Sequence, residues 1–148
     1  MDKKFFNKVR ILDGGMGQEI LNRGVKPHGT IWGATALLHK KYHQIVINTH
    51  LDFIKAGAEV IVTNSFGSRR RRLIENNLEK KFNILNVTAG KLAAKAVKKS
   101  KKNILIAGSL PPVSYTHLRA HETDSYLVCR LLLEKTKFAC CLGRSLFA

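Results

Sequence analysis

The chain has 148 residues, enough for one ordinary domain and fewer than most complete barrels contain. Its 45% hydrophobic content and mean hydropathy of −0.11 are those of a soluble globular protein, and no stretch approaches the ~20 apolar residues needed to cross a bilayer. The net charge of +16 invites a nucleic-acid reading, since clustered Lys and Arg release counterions from phosphate. The lysines, however, are spread along the chain. Neither aromatic interleaving nor zinc-finger spacing accompanies the densest clusters, Arg69–Arg72 and Lys98, Lys99, Lys101 and Lys102. Solvated helix faces account for them, and nucleic acid is not expected as a partner. Residues 1–6 carry charge but no long apolar run, so no signal peptide is expected. The expectation is a cytoplasmic protein with no membrane partner.

Val9 to Leu12 is a short β-prone run that ends at Asp13-Gly14-Gly15-Met16-Gly17, a strand delivering a carboxylate into a glycine-rich turn. Gln18 to Asn22 has helical composition and stops before Gly24. Residues 24–36 show no period and are expected to form a loop. From Tyr42, the positions Ile45, Val46, Thr49, Phe53 and Ile54 follow the spacing of an amphipathic helix ending near Gly57. Glu59 to Thr63 is a β-branched run suited to a buried parallel strand. A short helix over 70–76 and a long one over 78–100 follow. The long helix is expected to bury Leu85, Thr88, Ala89, Leu92, Ala93, Ala96 and Val97. Asn103 to Ala107 is the third strand, stopped by Gly108-Ser109-Leu110-Pro111-Pro112.

Strands alternating with helices define an α/β chain with a parallel sheet. Each strand ends in small or polar residues, where both barrels and open sheets place their sites. Periodicity alone does not choose between those two architectures. At the first such end, a carboxylate can hold an amine while bare backbone amides approach a carboxylate closely, a pair suited to the zwitterionic end of an amino acid. The simpler alternative is a strand-to-helix turn with Asp13 as cap.

Five blocks carry a more specific signal. Ile11 to Glu19 (ILDGGMGQE), Ile31 to Ala34 (IWGA), His50 to Ala58 (HLDFIKAGA), Val60 to Gly67 (VIVTNSFG) and Gly108 to Pro112 (GSLPP) occur in order over residues 9–112. Together they resemble the opening of the homocysteine S-methyltransferase family. The resemblance implies a (β/α)8 TIM barrel, of which residues 1–112 would supply about three βα units, the barrel being truncated. It implies a cofactor, zinc bound by thiolates, and an enzyme of methionine biosynthesis. Its partners would be homocysteine and a small methyl donor, with S-methylmethionine or S-adenosylmethionine preferred. Asp13 would take the substrate ammonium and Gly14, Gly15 and Met16 its carboxylate, while Thr63 and Asn64 would line the same pocket. The family's three cysteine ligands and its middle-strand acidic residue have no counterpart in residues 1–112, so no metal ligand is assigned and a chain of this extent is expected to be inactive.

Composition changes at Val113. Val113 to Thr123 (VSYTHLRAHET) resembles one reading frame of the transposon-end adapter used for sequencing libraries, and Leu127 to Lys135 (LVCRLLLEK) resembles the adjoining flow-cell adapter. The three residues between them match a short index. Residues 113–148 are therefore expected to be non-native read-through with no domain of their own. All three cysteines, Cys129, Cys140 and Cys141, fall there, and the Cys140-Cys141 pair only mimics the adjacent ligands of the family. Elsewhere, His50 is read as a packing residue, and His28, His39 and His43 form no metal set. Two alternatives stay open: a basic α/β nucleic-acid-binding module, or another barrel enzyme with unrelated chemistry.

Overall fold

The computed structural model describes Phe5 and residues 7–109. The chain divides into two units, one of residues 10–111 and one of residues 1–9 with 112–148; all elements named below belong to the first. Residues 113–148, with the adapter-like segments and every cysteine, lie outside the described residues.

Leu12 bridges Val60 in parallel, and strands β1 (Val60–Val62) and β2 (Leu105–Ala107) pair in parallel with Val60 opposite Leu105, Ile61 opposite Ile106 and Val62 opposite Ala107. The order across the sheet is thus the leading segment, β1, β2. Helices α1 (Met16–Asn22), α2 (Thr35–Leu38) and α3 (His43–Lys55) separate the leading segment from β1, and α4 (Arg70–Glu75) and α5 (Phe82–Ser100) separate β1 from β2. This is the α/β pattern expected. Every parallel neighbour is reached through helices because the chain must return to the starting edge of the sheet.

The apolar stripes of α3 and α5 face each other. Val46, Ile47 and Ile54 from α3 and Leu85, Ala89, Leu92, Ala93 and Ala96 from α5 are buried, and Ile20, Ile31 and Leu73 close the core from the shorter helices. Small residues on α5 let the two long helices approach, and each fully buried Ile or Leu contributes roughly 1.5–3 kcal/mol. The lysines of α5 point to solvent, as the charge pattern indicated.

Several expectations need correction. Residues 24–36 are not a simple loop: Gly29–Ala34 forms a 3-10 turn and α2 follows at once. Residues 31 and 33–37 are buried on all sides, so no polar face alternates with an apolar one to reveal a helix. The run from Val9 to Leu12 makes only the Leu12 bridge, because beyond it the Val62 N–H is taken by the Asp13 side chain and not by a backbone carbonyl. Both strands are shorter than expected, and β2 is half-buried rather than buried. Thr88 and Val97 are likewise half-buried, and α5 begins at Phe82, after a 3-10 turn over Glu79–Lys81.

Candidate functional site

The leading segment hands its hydrogen bonding from backbone to side chain at Asp13. The Asp13 N–H donates to the Val60 carbonyl (3.0 Å), and Asp13 Oδ2 then accepts from the Val62 N–H (2.9 Å). A carboxylate thereby continues the ladder and is fixed at the end of β1. It does not cap α1: the residue before that helix is Gly15, with no side-chain cap. The alternative reading of Asp13 as a helix cap is therefore set aside. Burial pushes the Asp13 carboxyl above its ordinary value of 3.8, against the smaller opposing pull of the Val62 N–H and its own N–H. A partly desolvated anion in that position gains from an incoming cation.

Asp13, Gly14, Gly15, Met16, Thr63 and Asn64, the six residues singled out in the sequence, line one cavity of about 310 Å³ at the strand ends. Gly17, Ile31, Trp32, Gly33, Val62, Phe66, Gly67 and Ser109 complete its wall. The size is at the lower end of the ~300–1,000 Å³ typical of small-ligand pockets. Asp13 is the only ionisable residue in the described wall, so the cavity presents one negative group among apolar and small polar surfaces.

The glycine turn is partly self-satisfied. The Met16 N–H donates to the Gly14 carbonyl (2.8 Å), so Met16 contributes its side chain rather than a free amide. The N–H groups of Gly14 and Gly15 have no acceptor among the described residues. Thr63 Oγ1 lies 2.9 Å from Ser65 Oγ and accepts from the Ser109 N–H (3.3 Å), while the Thr63 N–H donates to the Ala107 carbonyl. Thr63 thus ties the end of β1 to the end of β2. Asn64 is 6% exposed, and its Nδ2 donates to the Gly33 carbonyl (3.0 Å), fastening the Gly29–Ala34 turn over the pocket. Neither residue caps a helix.

Trp32 was noted in the sequence but not assigned to the site; Gly17, Phe66 and Ser109 were missed. Trp32 is 41% exposed and has φ 50° and ψ −127°, a backbone that a bulky residue adopts at a cost of about 1–3 kcal/mol. Its ring lies over Gly17, where a Cβ would sit 2.9 Å from Cζ3; a Cβ on Gly33 would sit 2.6 Å from the Gly17 Cα. Two glycines therefore let the turn close on α1 and bring the indole to the cavity.

The sequence profile of the family described as homocysteine S-methyltransferase matches residues 10–130. The chain belongs to that family. The match runs past Pro112 into the part expected to be non-native, where no described geometry bears on it. Among curated relatives, homocysteine S-methyltransferase 2 of Saccharomyces cerevisiae is 31% identical over 91 residues, covering 53% of this chain and 28% of its own length. Homocysteine S-methyltransferase 4 of Zea mays is 34% identical over 56 residues, covering 38% of this chain and 16% of its own. The chain spans between 16% and 28% of the length of these relatives. The structure of the homocysteine methyltransferase MmuM from Escherichia coli, in metallated form, superposes with a TM-score of 0.63 at 24% identity. That superposition covers 85% of this chain and 48% of that one, a likeness of fold.

The thiolate-bound zinc implied by the family does not fit the described residues. They contain no cysteine, and no three His, Cys, Asp or Glu side chains among them converge on a metal position. No described helix is long and apolar enough to cross a membrane.

Proposed function

We propose that the strand-end cavity binds the amino-acid end of homocysteine, and that the chain is the N-terminal part of a barrel from a cytoplasmic, zinc-dependent homocysteine S-methyltransferase. The parent reaction moves a methyl group from a sulfonium donor, S-methylmethionine or S-adenosylmethionine, to the homocysteine sulfur and yields methionine. The observation carrying this reading is the convergence of Asp13, the bare N–H groups of Gly14 and Gly15, Thr63 and Asn64 on one small cavity.

Within that reading each group has a task. Asp13 accepts hydrogen bonds from the substrate ammonium through the carboxylate face not held by Val62, a charge-assisted contact in a partly desolvated place. The Gly14 and Gly15 amides receive the substrate carboxylate. Trp32 lies against the thiol-bearing side chain of the substrate, and Asn64 holds Trp32's turn in position through Gly33. The donors that zinc would need do not lie among the described residues. This chain is accordingly expected to bind substrate without turning it over.

The protein contains a single tryptophan, which lines the cavity and serves as a built-in reporter. Titrating the full chain with L-homocysteine should give a saturable change in Trp32 emission. Asp13→Asn should weaken binding by about tenfold or more, the equivalent of one charge-assisted hydrogen bond. Equal binding of 4-sulfanylbutanoate, which lacks the ammonium, would overturn the reading.

We also propose that residues 113–148 derive from library adapters. Support comes from two adapter-like segments in the right order, separated by a gap the length of an index. Sequencing the source DNA tests this: codons unlike the adapters refute it.

A further inference from the structure

The basic run Arg69–Arg72 is not one feature. Arg71 is a wet-face residue, paired with Glu75 (3.3 Å) on α4. Arg70 turns the other way and lies 4.7 Å from the ring centre of Phe82. Arg69 and Arg72 converge on a third place: their guanidinium carbons lie 5.8 and 5.5 Å from the ring centre of Phe66. Phe66 is a wall residue of the strand-end cavity and is 43% exposed.

Two observations show that this arrangement lacks an anionic partner in contact, and a third that its charges are crowded. Neither Arg69 nor Arg72 makes an ion pair among the described residues, although Glu75 on the same helix is engaged by Arg71 and Thr30. Arg69 Nε is buried with no hydrogen-bond acceptor, an arrangement that ordinarily costs about 1–3 kcal/mol or more for a charged group. Burial, and then the positive charge of Arg69, lower the pKa of Arg72 below its ordinary value against a smaller opposing pull from Glu75, so the two cations are held close enough to repel each other. A solvated helix start would splay them apart. An anion would satisfy the buried N–H and relieve the repulsion at once.

We propose that Arg69 and Arg72, seated on the ring of Phe66 at the rim of the cavity, form a subsite for an anionic group, carboxylate or phosphate, carried by a ligand whose other end enters the cavity. That this ligand is the methyl donor rests on the homocysteine reading above; the binding of an anion does not. The planar forks of two arginines suit the paired oxygens of either group, and the apolar ring beneath them lowers the local dielectric and strengthens the contact.

The test uses the full chain labelled with ¹⁵N, with the arginine Nε–H signals followed by NMR at constant ionic strength. Separate titrations with sodium acetate and sodium phosphate distinguish the two sources of the anion. The expected result is a saturable shift of the Arg69 Nε–H while that of Arg71, already paired, stays put. Arg72→Gln should weaken the effect by about tenfold, and Arg72→Lys should restore part of it. Equal, non-saturating movement of all arginines would mean charge screening alone and would overturn the subsite. In the second arm, S-methylmethionine and its methyl ester are compared through Trp32 emission. The acid should bind more tightly than the ester in the wild type and equally in Arg72→Gln. Indistinguishable acid and ester in the wild type, with homocysteine bound normally, also overturns the proposal. If homocysteine fails to bind while acetate or phosphate still shifts Arg69, the subsite stands and the homocysteine reading falls.

Discussion

Replacing His50 by leucine should make the protein more stable at neutral pH and remove much of its sensitivity to mild acid. His50 sits in the middle of α3 with 0% exposure, and neither Nδ1 nor Nε2 has a hydrogen-bond partner among the described residues. Burial drives its pKa from 6.5 down to about 4. The folded state therefore refuses a proton that the unfolded chain accepts. Stability is intact above pH 6.5, declines as pH falls from 6.5 toward 4, and is flat with respect to this group below that. The full penalty is about 3 kcal/mol, and by pH 5 roughly 2 kcal/mol of it should be present. At pH 7.5 the neutral ring still leaves a donor and an acceptor unmet, and relieving them should gain about 1–2 kcal/mol once the poorer fit of leucine is subtracted. Urea melts followed by far-UV circular dichroism at pH 7.5 and 5.0 measure both quantities. The stability gap between variant and wild type should widen by about 2 kcal/mol on acidification. Parallel curves, or a variant less stable at pH 7.5, would show that the ring nitrogens are satisfied and would refute the reasoning.

Gly33→Ala should destabilise the protein by about 1–3 kcal/mol, because its Cβ would meet the Gly17 backbone at 2.6 Å and backbone cannot swing away. Gly17→Ala should cost less and instead displace the Trp32 ring, which its Cβ would meet at 2.9 Å; chemical melts and Trp32 emission separate the two outcomes. Asn64→Ala strips the Gly33 carbonyl of its donor and should cost about 1–3 kcal/mol, with Trp32 emission shifting to the red as its turn loosens. Affinity for homocysteine should fall on acidification as Asp13 takes up a proton. Because burial raises that pKa above 3.8, the loss should begin at higher pH than for a free aspartate. Asp13→Asn should abolish this acid limb, and an unchanged limb in the variant would assign it to another group.

Elements with one wet face were legible. The stripes of α3 and α5 and the β-branched run before Thr63 show their period directly; His50 packs inward as read, and α3 differs mainly in turning Ile47 inward as well. The segment from Ile31 to Leu37 hid its helical character because it is buried on all sides except at Trp32. At the site, the rule that function gathers where parallel strands end led to Asp13, Thr63 and Asn64, and applied to the third strand it would have led to Ser109. Trp32 could not be found that way. Its ring reaches the cavity through a positive φ and two missing Cβ atoms, neither of which hydrophobic period can report.

The bonds that assemble the cavity are confined to neighbours in the sheet and the turn over it. The Val62 N–H fixes Asp13, the Thr63 N–H reaches the Ala107 carbonyl, and the Asn64 amide reaches back to Gly33. Each tie joins the leading segment, β1, β2 or the turn over them. An amino-acid grip built this way is local, whereas a metal centre requires donors converging from several elements at once. In the proposed enzyme the grip on substrate and the activation of sulfur are therefore separable. A chain limited to the first strands should retain the stereochemical preference for L-homocysteine over D-homocysteine, because Asp13 at the ammonium, the two glycine amides at the carboxylate and Trp32 over the side chain already define three directions around the α-carbon. Equal affinity for the two enantiomers would mean that the cavity gains its shape only from parts of the protein outside these strands.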